Sequence, residues 1–233
     1  MHLRSLIATT FCLVVIAAMR SRADEPTDAD RPLADAARKT AALRGYAFKI
    51  EGDGLGGRGV LVEGKHEKGQ PAFFIADRIE FGRKGEVLVY KDAGKWQRTK
   101  TGIQSDPLRI LGASAKVREA RLPHEELSDL VKALKGARQG ERKVEGFTVY
   151  TGTFDEDGAR KLTPVGLRSV ARSGEAKLWV SGDGDVQKYT FTIRLQGNIG
   201  SVEVDGHMKR TVTLTDRGTA RVELPDEAKK ALE

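Results

Sequence analysis

Apolar and polar residues alternate along most of this chain, and the period of the alternation changes several times. Leu33, Ala36, Ala37, Thr40 and Ala41 recur at helical spacing ahead of Gly45, which predicts a helix over roughly 30–44 closed by a glycine. The period then drops to two. Tyr46, Phe48 and Ile50 alternate with Ala47, Lys49 and Glu51, and Val60 and Val62 alternate after a glycine-rich turn. Residues 71–75 and 79–81 are short strand candidates, Glu86 to Tyr90 is apolar on both faces, and 94–98 returns from it through Asp92-Ala93-Gly94. Closely spaced strands joined by glycine turns predict an antiparallel meander.

Helical spacing returns in mid-chain. Asp106-Pro107 is a cap followed by proline at the first helical position, with Leu108, Leu111 and Ala115 on the apolar side. A second helix begins near Pro123, and its stripe of Leu127, Leu130, Val131 and Leu134 falls at i, i+3, i+4, i+7 up to Gly136. Strands are expected again at 147–151, 176–180, 189–195 and 208–215, with a last one through Ala220, Val222 and Leu224. A short helix is expected within 155–162 and a terminal one over 225–232. An antiparallel sheet with its helices gathered on one face is an α+β fold.

The N-terminus follows a different logic. A short basic start with Arg4 precedes the uncharged stretch Leu6 to Ala18, and Ser21-Arg22-Ala23 offers small residues at a cleavage position. This predicts a secretory signal peptide over 1–23, followed by one domain over 24–233 whose first residues, 24–31, form an acidic, proline-bearing leader. The apolar run is shorter than the roughly 20 residues that span a bilayer, which argues against a retained anchor. Removing 1–23 takes away three arginines and Cys12, leaving 37 Lys+Arg against 33 Asp+Glu, net +4, and no cysteine. Cys12 lies inside the apolar run and not at the cut, so lipidation is not expected. The expected location is the periplasm or the exterior, and an exported domain of this size without disulfides relies on its core.

Composition narrows the chemistry. With 39% hydrophobic and 31% charged residues the chain is not a disordered polymer. Gly52, Gly54 and Gly57 satisfy G-x-G-x-x-G, but residues 58–62 continue as strand where a dinucleotide site needs a helix, so a hairpin turn is the reading. His66, His124 and His207 stand apart in sequence, with no metal-ligand spacing and no G-x-S-x-G elbow, and are read as surface or capping residues. Asp155-Glu156-Asp157-Gly158 and Asp183-Gly184-Asp185 look like calcium loops but lack the closing Glu, and are read as turns. Lys91, Lys95, Arg98 and Lys100 flank Trp96 and are read as a solvated basic edge, with anionic lipid headgroups or an acidic envelope protein as the next candidates. Nucleic acid is not an expected partner, no catalytic residue, metal or cofactor is assigned, and the chain is expected to be a monomer.

The order of elements carries a resemblance. A helix running into Leu43-Arg44-Gly45-Tyr46-Ala47-Phe48, meandering strands, a mid-chain helical pair and the tail Val212-Thr213-Leu214-Thr215-Asp216-Arg217-Gly218 into Val222-Glu223-Leu224-Pro225 resemble the LolA-like superfamily, with its LppX and LprG branch. Leu178-Trp179-Val180-Ser181-Gly182-Asp183-Gly184 through Tyr189 looks like its C-terminal half. The chain also looks like exported proteins of planctomycete type. The resemblance spans most of 30–225 and implies a strongly curved antiparallel sheet, a half-barrel, with helices across its concave face and acyl chains held between. It implies a soluble, non-enzymatic protein that binds a lipid or the acyl chain of a lipoprotein. On that fold Phe48, Val89, Phe191 and Ile193 are the candidate strand-borne ligand contacts, and Leu111, Leu127 and Val131 the candidate helical ones. The same residues would serve equally as solid core, and the alternative is a protein-interaction or sensor module of the cell envelope on the same fold.

Overall fold

The computed structural model describes residues 29–53, 59–76, 78–100, 121–140 and 146–233. In chain order these form α1 (Asp30–Ala42), β1 (Gly45–Asp53), β2 (Gly59–Glu67), β3 (Ala72–Ala76), β4 (Ile79–Lys84), β5 (Val87–Asp92) and β6 (Lys95–Lys100). Then come α2 (Pro123–Ala133), β7 (Lys135–Gln139), β8 (Thr148–Phe154), α3 (Glu156–Leu162), a 3-10 turn (Val165–Val170), β9 (Ala171–Val180), β10 (Val186–Ile199), β11 (Val202–Thr215) and α4 (Asp226–Leu232). The expected helix over 106–115 and the glycine turn at 54–58 lie outside the described residues.

The strands make one antiparallel sheet in the order β6-β5-β4-β3-β2-β1-β11-β10-β9-β8-β7. Two sequential meanders, β1 to β6 and β7 to β11, meet where β1 pairs with β11, Ala47 opposite Thr215 and Asp53 opposite Lys209. The two-residue period sorts each strand's side chains to opposite faces. The inner face collects Tyr46, Phe48 and Ile50 of β1, Tyr189, Phe191, Ile193 and Leu195 of β10, and Val212 and Leu214 of β11, all buried in one cluster. Helix α1 packs there through Leu33, Ala36 and Ala37, and α2 through Leu127 and Leu130. Thr40 seats α1 without leaving a buried hydroxyl unpaired. Its Oγ1 donates to the Ala36 carbonyl at 2.8 Å and accepts from the Val186 amide at 2.9 Å.

The outer face is covered at one end. Helix α4 lies on β4, β5 and β6, where Leu224, Ala228 and Leu232 bury Val89, with Phe73 and Trp96 packed against them. Gly82 makes room for this helix. A Cβ at Gly82 would stand 2.9 Å from Leu224 Cδ2 and 3.0 Å from Val89 Cγ2.

Two local expectations are corrected. Residues 220–225 form no strand, because β11 is already paired with β1 on one side and β10 on the other and offers no edge. Their apolar residues instead seat an extended connection. Ala220 is buried beside Gly45, and Leu224 enters the α4 cluster. The second correction is β7, which begins at Lys135 inside the expected end of the helix and runs on through residues 137–139, for which no element was expected. Helix α2 stops at Ala133, and Gly136 adopts a positive φ of 58° within the new strand. Only Ala137 of β7 is buried, so the segment carries no apolar alternation to read.

Candidate functional site

The space between the inner sheet face and helices α1 and α2 is the part of the molecule with the clearest division of chemistry. Phe48, Leu127, Phe191 and Ile193 lie in one apolar cluster and are exposed by no more than 5%. Val131 is half-buried and packs against that cluster. Of the other two candidate contacts, Val89 is fully buried but on the outer face under α4, separated from these residues by the thickness of the sheet. Neighbouring Leu88 points inward, as strand alternation requires. Leu111 lies outside the described residues.

Polar groups in this interior are gathered at the first turn of α2, where three consecutive residues each reach a different strand. The first, His124, meets Tyr46 of β1, the tyrosine Oη and imidazole Nδ1 lying 2.7 Å apart. The His66 ring of β2 lies 4.8 Å from that of His124 and 5.1 Å from that of Tyr46. Histidines far apart in sequence are thus side by side in the fold. Burial pushes the His66 imidazole down to about 4, and the neighbouring His124 adds to the shift while Glu125 opposes it. Burial also lowers His124, against Glu125 and with Arg83. Burial raises the Tyr46 phenol, which stays protonated. His66 Nδ1 is buried and has no hydrogen-bond partner among the described residues.

The second residue, Glu125, accepts two bonds from Arg83 of β4, at 3.0 and 3.2 Å, a fork geometry that only arginine supplies. The same carboxylate accepts the Leu122 backbone N–H at 3.0 Å and so caps its own helix. The third, Glu126, is almost wholly buried. It is paired with Arg210 of β11 at 2.9 Å and accepts the Tyr189 hydroxyl of β10 at 3.0 Å. Burial pushes the Tyr189 phenol well up, and the Glu126 charge adds to it. A buried carboxylate is tolerable only with this degree of pairing. The result is an apolar core layer with a polar rim at one end, and α2 is tethered to the sheet at that rim.

The remaining candidate positions are structural. Asp155 caps α3 by accepting the Gly158 N–H at 3.1 Å and pairs with Lys135 at 2.8 Å, and that lysine holds its carboxyl below the usual range. Asp185 is buried and accepts from Arg217 and Ser181. Among the described residues no three His, Cys, Asp or Glu side chains are placed to hold one metal ion. Trp96 packs under α4, and Lys91 pairs with Glu80 at 3.7 Å. Among the described residues no helix is long and apolar enough to cross a membrane.

Sequence reasoning passed over the polar rim, although two signals lay in it. Arg210 occupies the same alternation as Met208, Val212 and Leu214, a charge in an apolar register. Glu126 lies four residues before Leu130 on the α2 stripe, and so on its buried side.

No family model matches the sequence, and no curated protein matches it. Solved structures do. LprF from Mycobacterium bovis is 15% identical, covers 86% of this chain and 97% of its own, and superposes with a TM-score of 0.54. The Mycobacterium tuberculosis lipoprotein LppX is 13% identical, covers 84% and 97%, with a TM-score of 0.49. A LolA superfamily protein from Nitrosomonas europaea is 9% identical, covers 85% and 96%, with a TM-score of 0.32. The similarity runs over most of the chain at low identity, and the LprF superposition shows a shared fold.

Proposed function

We propose that this chain is a non-enzymatic binding protein that holds a lipid, or the acyl chain of a lipoprotein, between the inner sheet face and its helices. The observation that supports this most is the separation of chemistry in that interior. Aliphatic and aromatic side chains from β1, β10, β11, α1 and α2 line it, and the buried or half-buried ion pairs with Arg83 and Arg210 are gathered around the first turn of α2. A largely apolar site with a few placed polar groups is what an acyl ligand with a polar end requires. In this reading the sheet curves as a half-barrel around the ligand, with Phe48, Phe191, Ile193, Leu127 and Val131 as the contacts. The mature protein begins after residue 23 and works as a soluble monomer in the periplasm or outside the cell.

A second reading has its own support. Leu127, Phe191 and Ile193 have no exposed surface, as side chains of a filled core would. An envelope interaction or sensor module on this fold would look the same.

Val131 separates the two, because it lies at the margin of the cluster and is not locked inside it. Each buried methylene of a ligand contributes about 0.8 kcal/mol. Val131→Trp would fill the space such a chain occupies. The binding reading expects organic extraction of the purified protein to release a lipid visible by mass spectrometry. It also expects the variant to lose a fluorescent fatty acid while keeping its thermal stability. A filled core expects no binding by the parent protein and an overpacking loss of about 1–3 kcal/mol in the variant.

A further inference from the structure

We infer that the outer face of β7 to β11 is a docking surface for an anionic lipid bilayer. This goes beyond the interior site and does not depend on what the interior holds. Helix α4 covers the outer face only at β4 to β6, and no described helix packs over the opposite end. On that uncovered end the register sets cations and hydroxyls side by side. Arg138 lies opposite Thr151, Thr151 opposite Lys177, Lys177 opposite Thr190, and Thr190 opposite Thr211. A shallow depression of 720 Å³ runs along these strands, with Lys135, Arg138, Lys177 and Lys209 around it and, among the described residues, Glu175 as its one acid.

Acids stand near some of these cations, Glu175 in the depression and Asp53 of β1 opposite Lys209. Lys135 is held by Asp155 and Arg194 by Asp205, but among the described residues Arg138, Lys177, Lys188 and Lys209 form no ion pair. Two of these four share one aromatic ring. The ammonium groups of Lys177 and Lys188 lie 5.2 and 5.1 Å from the centroid of Trp179. The cations do not converge on one point. Arg138 and Lys209 stand on strands four steps apart, which at the spacing of paired strands is roughly 19 Å. A spread of that size suits a plane of headgroups better than a single soluble anion. A half-buried tryptophan between lysines is the arrangement that settles at a membrane–water interface. The basic edge at Trp96 lacks this geometry, since its ring is packed under α4.

The test is co-sedimentation of the full chain with vesicles of phosphatidylglycerol and phosphatidylcholine, against phosphatidylcholine alone, at low salt and at 0.5 M salt. All variants carry the same N-terminus, so differences between them report on the face. Each interfacial cation contributes about fivefold to such binding. The Lys177→Glu, Lys209→Glu double variant is therefore expected to weaken binding to anionic vesicles at least about 25-fold. Lys95→Glu with Arg98→Glu, on β6, should change it less than about threefold, since the surface potential fades within a Debye length. Trp179 emission should shift to the blue on anionic vesicles in a Trp96→Phe background. Thermal melts of all variants guard against misfolding, with Lys177→Gln and Lys209→Gln as the gentler pair. Equal loss from the two charge reversals would reduce the effect to net charge and overturn the proposal. So would indifference to phosphatidylglycerol, an unmoved Trp179 spectrum, or capture of an acidic protein in place of vesicles.

Discussion

His66 and His124 touch each other, and neither carries a charge comfortably. In the unfolded chain an imidazole titrates near about 6.5, whereas burial holds His66 at about 4. Between those values the unfolded state binds more protons than the folded one, so stability falls as pH falls. The contribution of neutral His66 is complete above about pH 6.5 and is lost toward pH 4. His124 is lowered too and acts in the same direction. The ring is half-buried, so with allowance for solvent screening the loss attributable to His66 is about 1–2 kcal/mol. Urea unfolding at pH 7.0 and 4.5 should show it as a difference between proteins. His66→Phe keeps a ring beside Tyr46 and removes the titration, and it should shrink the drop by about 1 kcal/mol. An identical drop in both proteins would place the acid sensitivity elsewhere. None of this was visible in the sequence, where the two histidines stand far apart and each reads as a lone surface residue. Their meeting depends on β2 and α2 facing one another, a relation that no local spacing encodes. Arg210 and Glu126 differ from them, since each breaks an apolar pattern in its own segment.

At the scale of elements the periodic segments were legible and the aperiodic ones were not. The Ala-rich face of α1, the stripe of α2 and the alternation of β10 each repeat often enough to specify an element and its buried side. The terminal helix was legible too, but its docking was not, because the residue that admits it is a glycine on a distant strand. Gly82→Val tests that fit. The new side chain would collide with Leu224 and Val89, and moving α4 would uncover Val89 and Trp96. The expected cost is about 1–3 kcal/mol in urea unfolding, with a red shift of Trp96 emission in a Trp179→Phe background. A variant as stable as the parent would mean that α4 contributes little to the fold. Val89 shows the limit of this kind of inference. A strand apolar on both faces says that both faces are covered, not by what, and the outer cover comes from the far end of the chain.

At the scale of the molecule, the described residues form a sheet of eleven strands whose first and last members in the order are β6 and β7. Lys95 and Arg98 on one edge strand and Lys135 and Arg138 on the other discourage strand addition by a neighbour. The N-terminal meander was legible from closely spaced strands and glycine turns. The seam between β1 and β11 was not, since it pairs the beginning of the chain with its end and leaves no short-range trace.

That seam joins two halves that cannot be completed separately. Helix α1 comes from the first half of the chain, yet it packs on α2 and β10 of the second. Helix α4 comes from the second half, yet it closes the outer face of β4 to β6 in the first. Each half lends a helix to the other, so the two are clasped reciprocally as well as zipped along β1–β11. Either half alone would leave a strand edge unpaired and an apolar surface bare. The molecule should therefore lose its structure in one cooperative transition, with the two meanders inseparable as folding units. Expressed as separate polypeptides, residues 29–100 and 121–233 should each lack a native near-ultraviolet spectrum and regain it on mixing. A half that folds by itself would show that the exchanged helices are ornaments to two independent sheets.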